Sequence, residues 1–175
     1  MTTLNGYGGI ATHLIDPEHG CIPWAIEWMI RYKGNVTGSW EIPSNQLNNF
    51  QTTYNVYRQT HRAARNTYAS VLRAIEANHP GVGFVRDNTY QRNQAMQKFQ
   101  QIENLIGQGT PCITTIRLLP HHNAHIVPVV EINPNDIAVI WNIPNTGIQQ
   151  IQRFSKNSLY QMHNAGRGMG FMYLP

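Results

Sequence analysis

His19-Gly20-Cys21-Ile22-Pro23-Trp24-Ala25-Ile26-Glu27-Trp28-Met29 is the stretch on which the reading of this chain turns. From Cys21 to about Lys33, Trp24, Trp28 and Tyr32 recur at four-residue spacing with Ala25 and Met29 beside them. That period makes one wide apolar face and predicts a central, mostly buried helix. Pro23 falls in the first turn, where its missing N–H costs nothing, and Gly34-Asn35 reads as the stop. Cys21 then stands at the helix tip. Unpaired N–H groups and the positive end of the helix dipole bias a thiol there towards the thiolate, and they offer donors to a developing oxyanion. Position alone does not make a nucleophile, because free cysteines commonly serve as small apolar packing. A partner base has to be found elsewhere in the chain.

On the N-terminal side, residues 1–20 are glycine-rich, carry Asp16-Pro17 and show no period, which reads as an irregular segment feeding the helix. On the other side, Gly34 to Pro43 is a turn-rich connector, and Ser44 is an N-cap for a helical region running to about Asn78. There Phe50, Tyr57, Ala64 and Val71 repeat every seven residues, interleaved with Tyr54, His61, Tyr68 and Ile75. Arg58, Arg62 and Arg65 form a flanking strip without a nearby acid, read either as a solvated face or as a contact for an acidic protein surface or phosphate. A third helix is expected from about Asn88 to Gly107, with Met96, Phe99, Ile102, Leu105 and Ile106 as its apolar positions.

Beyond Gly109 the texture changes. Cys112 to Leu118, Ala124 to Ile132, Ile137 to Trp141 and Ile148 to Phe154 are short β-rich runs between Pro, Asn and Gly turns, which argues a largely antiparallel sheet. Ser155 to His163 reads as a short helix capped by Ser155, and Gly170 to Leu174 as a final strand. Helices first and strands second is an α+β layout. The whole of 1–175 is expected to be one domain, helical over about 1–109 and sheet over about 110–175.

Composition narrows the function classes. Ten arginines and three lysines against nine acids give a formal charge of +4, too sparse for the dense basic face of nucleic-acid binding. Cys21 and Cys112 stand far apart and are expected to be free thiols. No run approaches the ~20 apolar residues of a membrane span, and the N-terminus lacks a signal-peptide pattern. The expectation is a protein made in the cytoplasm, with any export by a route that uses no cleaved signal.

Among eight histidines, His125 stands out because it opens the strand Ile126-Val127-Pro128-Val129-Val130 after a polar loop. A base at the start of a core strand is rigidly framed with one end near solvent. A turn at Asn133-Pro134-Asn135-Asp136 would pair this strand with Ile137–Trp141 and bring Asn142 back beside His125, where its amide could orient the imidazole. His121, His122 and His125 also raise a zinc reading, but they lack the helical i, i+4 placement of zinc-protease motifs. No metal and no cofactor are expected.

Helix-tip cysteine, strand-opening histidine and then Asn at the end of the next strand resembles the papain-like cysteine peptidase superfamily. The segments Gly20-Cys21 to Tyr32, Ala124-His125-Ile126-Val127-Pro128 and Asn142-Ile143-Pro144-Asn145-Thr146-Gly147 are similar to bacterial effector peptidases of the YopT and AvrPphB type. The same order is shared with bacteriocin-leader peptidases. The resemblance covers about 20–33 and 110–174, and it implies a papain-like fold with the nucleophile helix packed on the sheet. It also implies a Cys21–His125–Asn142 triad, a protein or peptide substrate, and a role as a bacterial effector or toxin in virulence. Those two branches have Asp where Asn142 stands; Asn is the residue at this place in papain-type enzymes, which keeps the orienting role. Papain-type enzymes donate to the oxyanion from a Gln about six residues before the cysteine. Ile15 occupies that place here, so His13 or Asn5 becomes the candidate donor. The reading of a different class is a non-catalytic interaction module on the same scaffold, docking through the arginine strip and the helical stripe.

Overall fold

A computed structural model describes residues 1–10, 21–47, 73, 77–87, 94–117, 124–142, 149–165 and 171–175, with Ala124, Asn142 and Ala165 described by their backbone alone. The elements are β1 (Thr2–Thr3), a 3₁₀ turn (Tyr7–Gly9), α1 (Cys21–Thr37), α2 (Ser44–Leu47), β2 (Val85–Asp87), α3 (Ala95–Gly107), β3 (Cys112–Arg117), β4 (Ala124–Ile132), β5 (Asp136–Asn142), β6 (Gln149–Ser155), α4 (Lys156–Ala165) and β7 (Phe171–Tyr173). The layout is α+β: among the described residues, four helices accompany one antiparallel sheet of seven strands. The sheet runs β2-β7-β3-β4-β5-β6. β1 joins the edge of β4 that β3 leaves beyond Val129, pairing Thr2 with Ile132 and Thr3 with Glu131.

Two strands, β1 and β2, lie in the part expected to be helical. Both are too short to carry a period, so only their pairing partners define them. Of the middle region expected to be helical, Ser44–Leu47, Arg73 and Ala77–Asn78 are helical; the heptad stripe from Phe50 to Val71 lies outside the described residues.

α1 is buried at Ile22 through Ile30 without a break, and again at Tyr32 and Gly34. It continues one turn past the expected stop. Gly34 is interior to the helix because the Trp40 indole packs on its backbone: a Cβ there would lie 2.2 Å from the ring. The true terminator is Gly38, at φ 75°, a left-handed conformation that glycine adopts without a Cβ penalty. Its N–H bonds the Gly34 carbonyl at 2.9 Å, and Thr37 Oγ1 donates to the Lys33 carbonyl at 2.7 Å while accepting from the Ser39 N–H.

α3 buries Ala95, Phe99, Ile102 and Ile106, but Met96 is 66% exposed and its place in the stripe is taken by Lys98. The Lys98 ammonium pairs with Asp87 on β2 and lies over the Phe171 ring, so the stem packs in the core while the charge is matched. α4 begins as expected, with Ser155 Oγ accepting the Ser158 N–H at 3.2 Å.

β3 is buried at five consecutive positions, which requires cover on both faces of the sheet. α3 and α4 cover one face: Thr2 Oγ1 donates to Glu103 on α3, Thr114 Oγ1 lies 3.3 Å from His163 Nδ1 on α4, and Phe171 lies under Lys98. α1 packs across β4 and β3 on the other. Cα pairing in the ladder then assigns each side chain. Val127 faces Thr114 and His125 faces Ile116, so both belong to the α3/α4 face, where the His125 ring meets Trp141. Between Val129 and Glu131 a bulge shifts the β4–β5 register by one residue. Glu131 therefore points to the α1 face, bonding Tyr7 Oη at 2.6 Å and pairing with Arg153.

Candidate active site

Cys21 is the first residue of α1 and is half-buried. Burial pushes its thiol above the ordinary value, outweighing the backbone N–H groups of Ile126, Cys21 and Ile22, which favour the anion. The expectation of a depressed pKa at the helix tip is thereby reversed: desolvation of the anion exceeds the pull of the amides. The thiol nevertheless reaches β4, because the Ile126 amide belongs to the residue that follows His125.

His125 lies near the start of β4. Its ring is 4.4 Å from that of Trp141, centroid to centroid, at 44°. Its Nε2 is buried without a hydrogen-bond partner among the described residues. Burial holds the imidazole down to about 4, so it is neutral and basic at neutral pH. Cys21 and His125 thus approach β4 at neighbouring residues, the thiol from the α1 face and the imidazole from the other. Asn142 ends β5, its backbone paired with Gln149 of β6. Trp141, the residue before it, is the β5 side chain that meets His125, and sequence reasoning did not single it out. The signal available was strand alternation, which gives Trp141 the same face as Val139 and Ile137.

Asn5 is not brought to Cys21. Its carbonyl accepts a hydrogen bond from Tyr32 Oη at 2.7 Å, and Tyr32 lies eleven residues down α1, about 16 Å of helical rise from the tip. The β1–β4 pairing that ends at Leu4, whose N–H bonds the Val130 carbonyl, draws Asn5 away. His13, Arg58, Arg62 and Arg65 lie outside the described residues, as do His121 and His122. Among the described residues, no three His, Cys, Asp or Glu gather as a metal site.

Cys112 is fully buried at the start of β3, with Sγ 3.6 Å from the Thr110 carbonyl, and burial pushes its thiol far up. It is packing, as its apolar strand predicts. Both cysteines are free. No described helix is long and apolar enough to cross a membrane.

No protein-family model matches the chain, and no curated protein matches it either.

Proposed function

We propose that the chain is a papain-like cysteine hydrolase acting on a peptide or amide bond. Cys21 is the nucleophile, His125 the general base and Asn142 the residue that orients the imidazole. The observation that carries this reading is the approach of the Cys21 sulfur to the Ile126 amide, which sets a helix-tip thiol beside the strand residue that follows a neutral histidine. With the thiol protonated and the imidazole neutral at rest, the proton passes from Sγ to His125 as sulfur attacks the carbonyl, and then to the leaving amine. The N–H groups at the α1 tip are the donors for the oxyanion. The imidazole projects from the face of the sheet opposite the thiol, so proton transfer requires the first residues of β4 to turn over and bring the ring to the α1 side. The resemblance to effector peptidases supports a bacterial effector or toxin that attacks a protein or peptide of another cell.

The test is the rate of Cys21 alkylation by iodoacetamide at neutral pH. A base that serves Cys21 makes the rate fall by about tenfold or more in His125→Ala. Equal rates in the two proteins would remove the base from the reading. Trapping target proteins with Cys21→Ala then identifies the substrate.

A second reading, the non-catalytic interaction module, is favoured by one observation: burial raises the Cys21 thiol instead of lowering it. Under that reading, Cys21→Ala leaves the biological effect intact.

A further inference from the structure

On the α3/α4 face, remote from Cys21, a cavity of about 530 Å³ opens between α3, the end of β4 and the start of α4. This volume falls within the ~300–1,000 Å³ of small-molecule sites. The Tyr160 ring, tilted at 37° to the buried Phe99 with centroids 5.5 Å apart, and Met96 form its apolar part, and the polar side chains of Gln100, Asn135 and Asn157 line the rest. Two opposite charges line it, the Glu103 carboxylate on α3 and the Lys156 ammonium at the first residue of α4.

These charges share one cavity, yet no ion pair joins them or ties either to another described residue. They therefore stand more than an ion-pair distance apart. Glu103 is fixed in place by Thr2 Oγ1, which donates to it at 3.0 Å, and it lies close enough to Tyr160 for its charge to add to burial in raising the phenol pKa. Met96, a large apolar side chain left 66% exposed, also lines the cavity. A carboxylate held in place and a separate ammonium in one cavity have the polarity of a zwitterion reversed, and Met96 and Tyr160 add apolar surface.

We propose that this cavity is a binding site for a short peptide with free termini, its ammonium on Glu103, its carboxylate on Lys156, and an apolar side chain against Met96 and Tyr160. The site is distinct from the Cys21 thiol, which lies on the other side of the sheet. It binds without a covalent step.

The test uses the unmodified protein and the dipeptide Ala-Phe, compared with its N-acetylated and C-amidated forms, read by calorimetry and by amide NMR shifts. Ala-Phe binds at about millimolar Kd or tighter, with shifts in α3, α4 and the β4–β5 turn. Each blocked form binds about tenfold more weakly. Glu103→Gln discriminates less against the acetylated form, and Lys156→Ala discriminates less against the amidated one. Absence of binding, equal binding of blocked and free dipeptides, or shifts confined to the α1 face would each overturn the proposal. Both substitutions are at lining positions outside the buried core, and unchanged unfolding midpoints establish that a loss of affinity is not a loss of fold.

Discussion

Acidification from about pH 7 to about pH 4 should cost this protein stability through His125 in particular. The imidazole is neutral in the folded state down to about 4 because it is buried against Trp141, while in the unfolded chain it takes a proton near 6.5. Below the unfolded value, the unfolded state binds more protons, so stability rises with pH across this window and is lost as pH falls from about 6.5 to about 4. The gap between the two values corresponds to about 3 kcal/mol at roughly 1.4 kcal/mol per pKa unit. His125→Phe keeps a ring on Trp141, removes the unpartnered Nε2 and cannot titrate. Urea unfolding of both proteins at several pH values isolates the effect, since His163, lowered mainly by burial, and Glu131, lowered foremost by its bond from Tyr7, contribute equally to each. The wild type should lose about 3 kcal/mol more than the variant on going to about pH 4. Parallel pH curves, or an NMR titration placing His125 near 6.5, would refute the account of its burial.

Gly34→Ala would add about 1 kcal/mol of helix propensity in an open helix, but here the new Cβ meets the Trp40 ring at 2.2 Å. A net loss of roughly 1–3 kcal/mol is expected in thermal unfolding, relieved in part when Trp40→Ala is added. Native protein treated with iodoacetamide should be modified at Cys21 and spared at Cys112, and peptide mapping that finds Cys112 labelled first would contradict its burial. Tyr7→Phe removes the bond that does most to lower the Glu131 carboxyl. It should cost about 1 kcal/mol at neutral pH and raise that carboxyl in an NMR titration.

Much of the sheet was legible because its strands are long, β-branched and bounded by turn residues. Cys112–Arg117, Ala124–Ile132, Asp136–Asn142 and Gln149–Ser155 fall within a residue or two of the runs read from sequence. The Ser155 cap was legible for the same reason: a side-chain oxygen before a helical period has one common use. β1 and β2 were not legible, since pairs of two or three residues are defined by partners far along the chain. Gly34 misled because glycine marks both a helix end and a close approach, and only the position of Trp40 decides between them. At the site, the sequence placed Cys21 on a helix tip and His125 at a strand start. It could not weigh burial against the amides at Cys21, nor assign His125 to a face, because both depend on how α1 and α4 divide the sheet.

The irregularity between Val129 and Glu131 has a consequence for parity. Before it, odd-numbered side chains of β4 go to the α3/α4 face; after it, even-numbered ones do. One surplus residue lets a single strand address Glu131 to one side and His125 to the other, which uninterrupted alternation would forbid. Removing Val130 while the Glu131 end stays anchored by Tyr7, Arg153 and β1 would transpose the first half of the strand, turning the imidazole towards α1 and Ile126 away from it. The count of residues at that point, and no side chain's chemistry, sets which neighbour the Cys21 thiol meets.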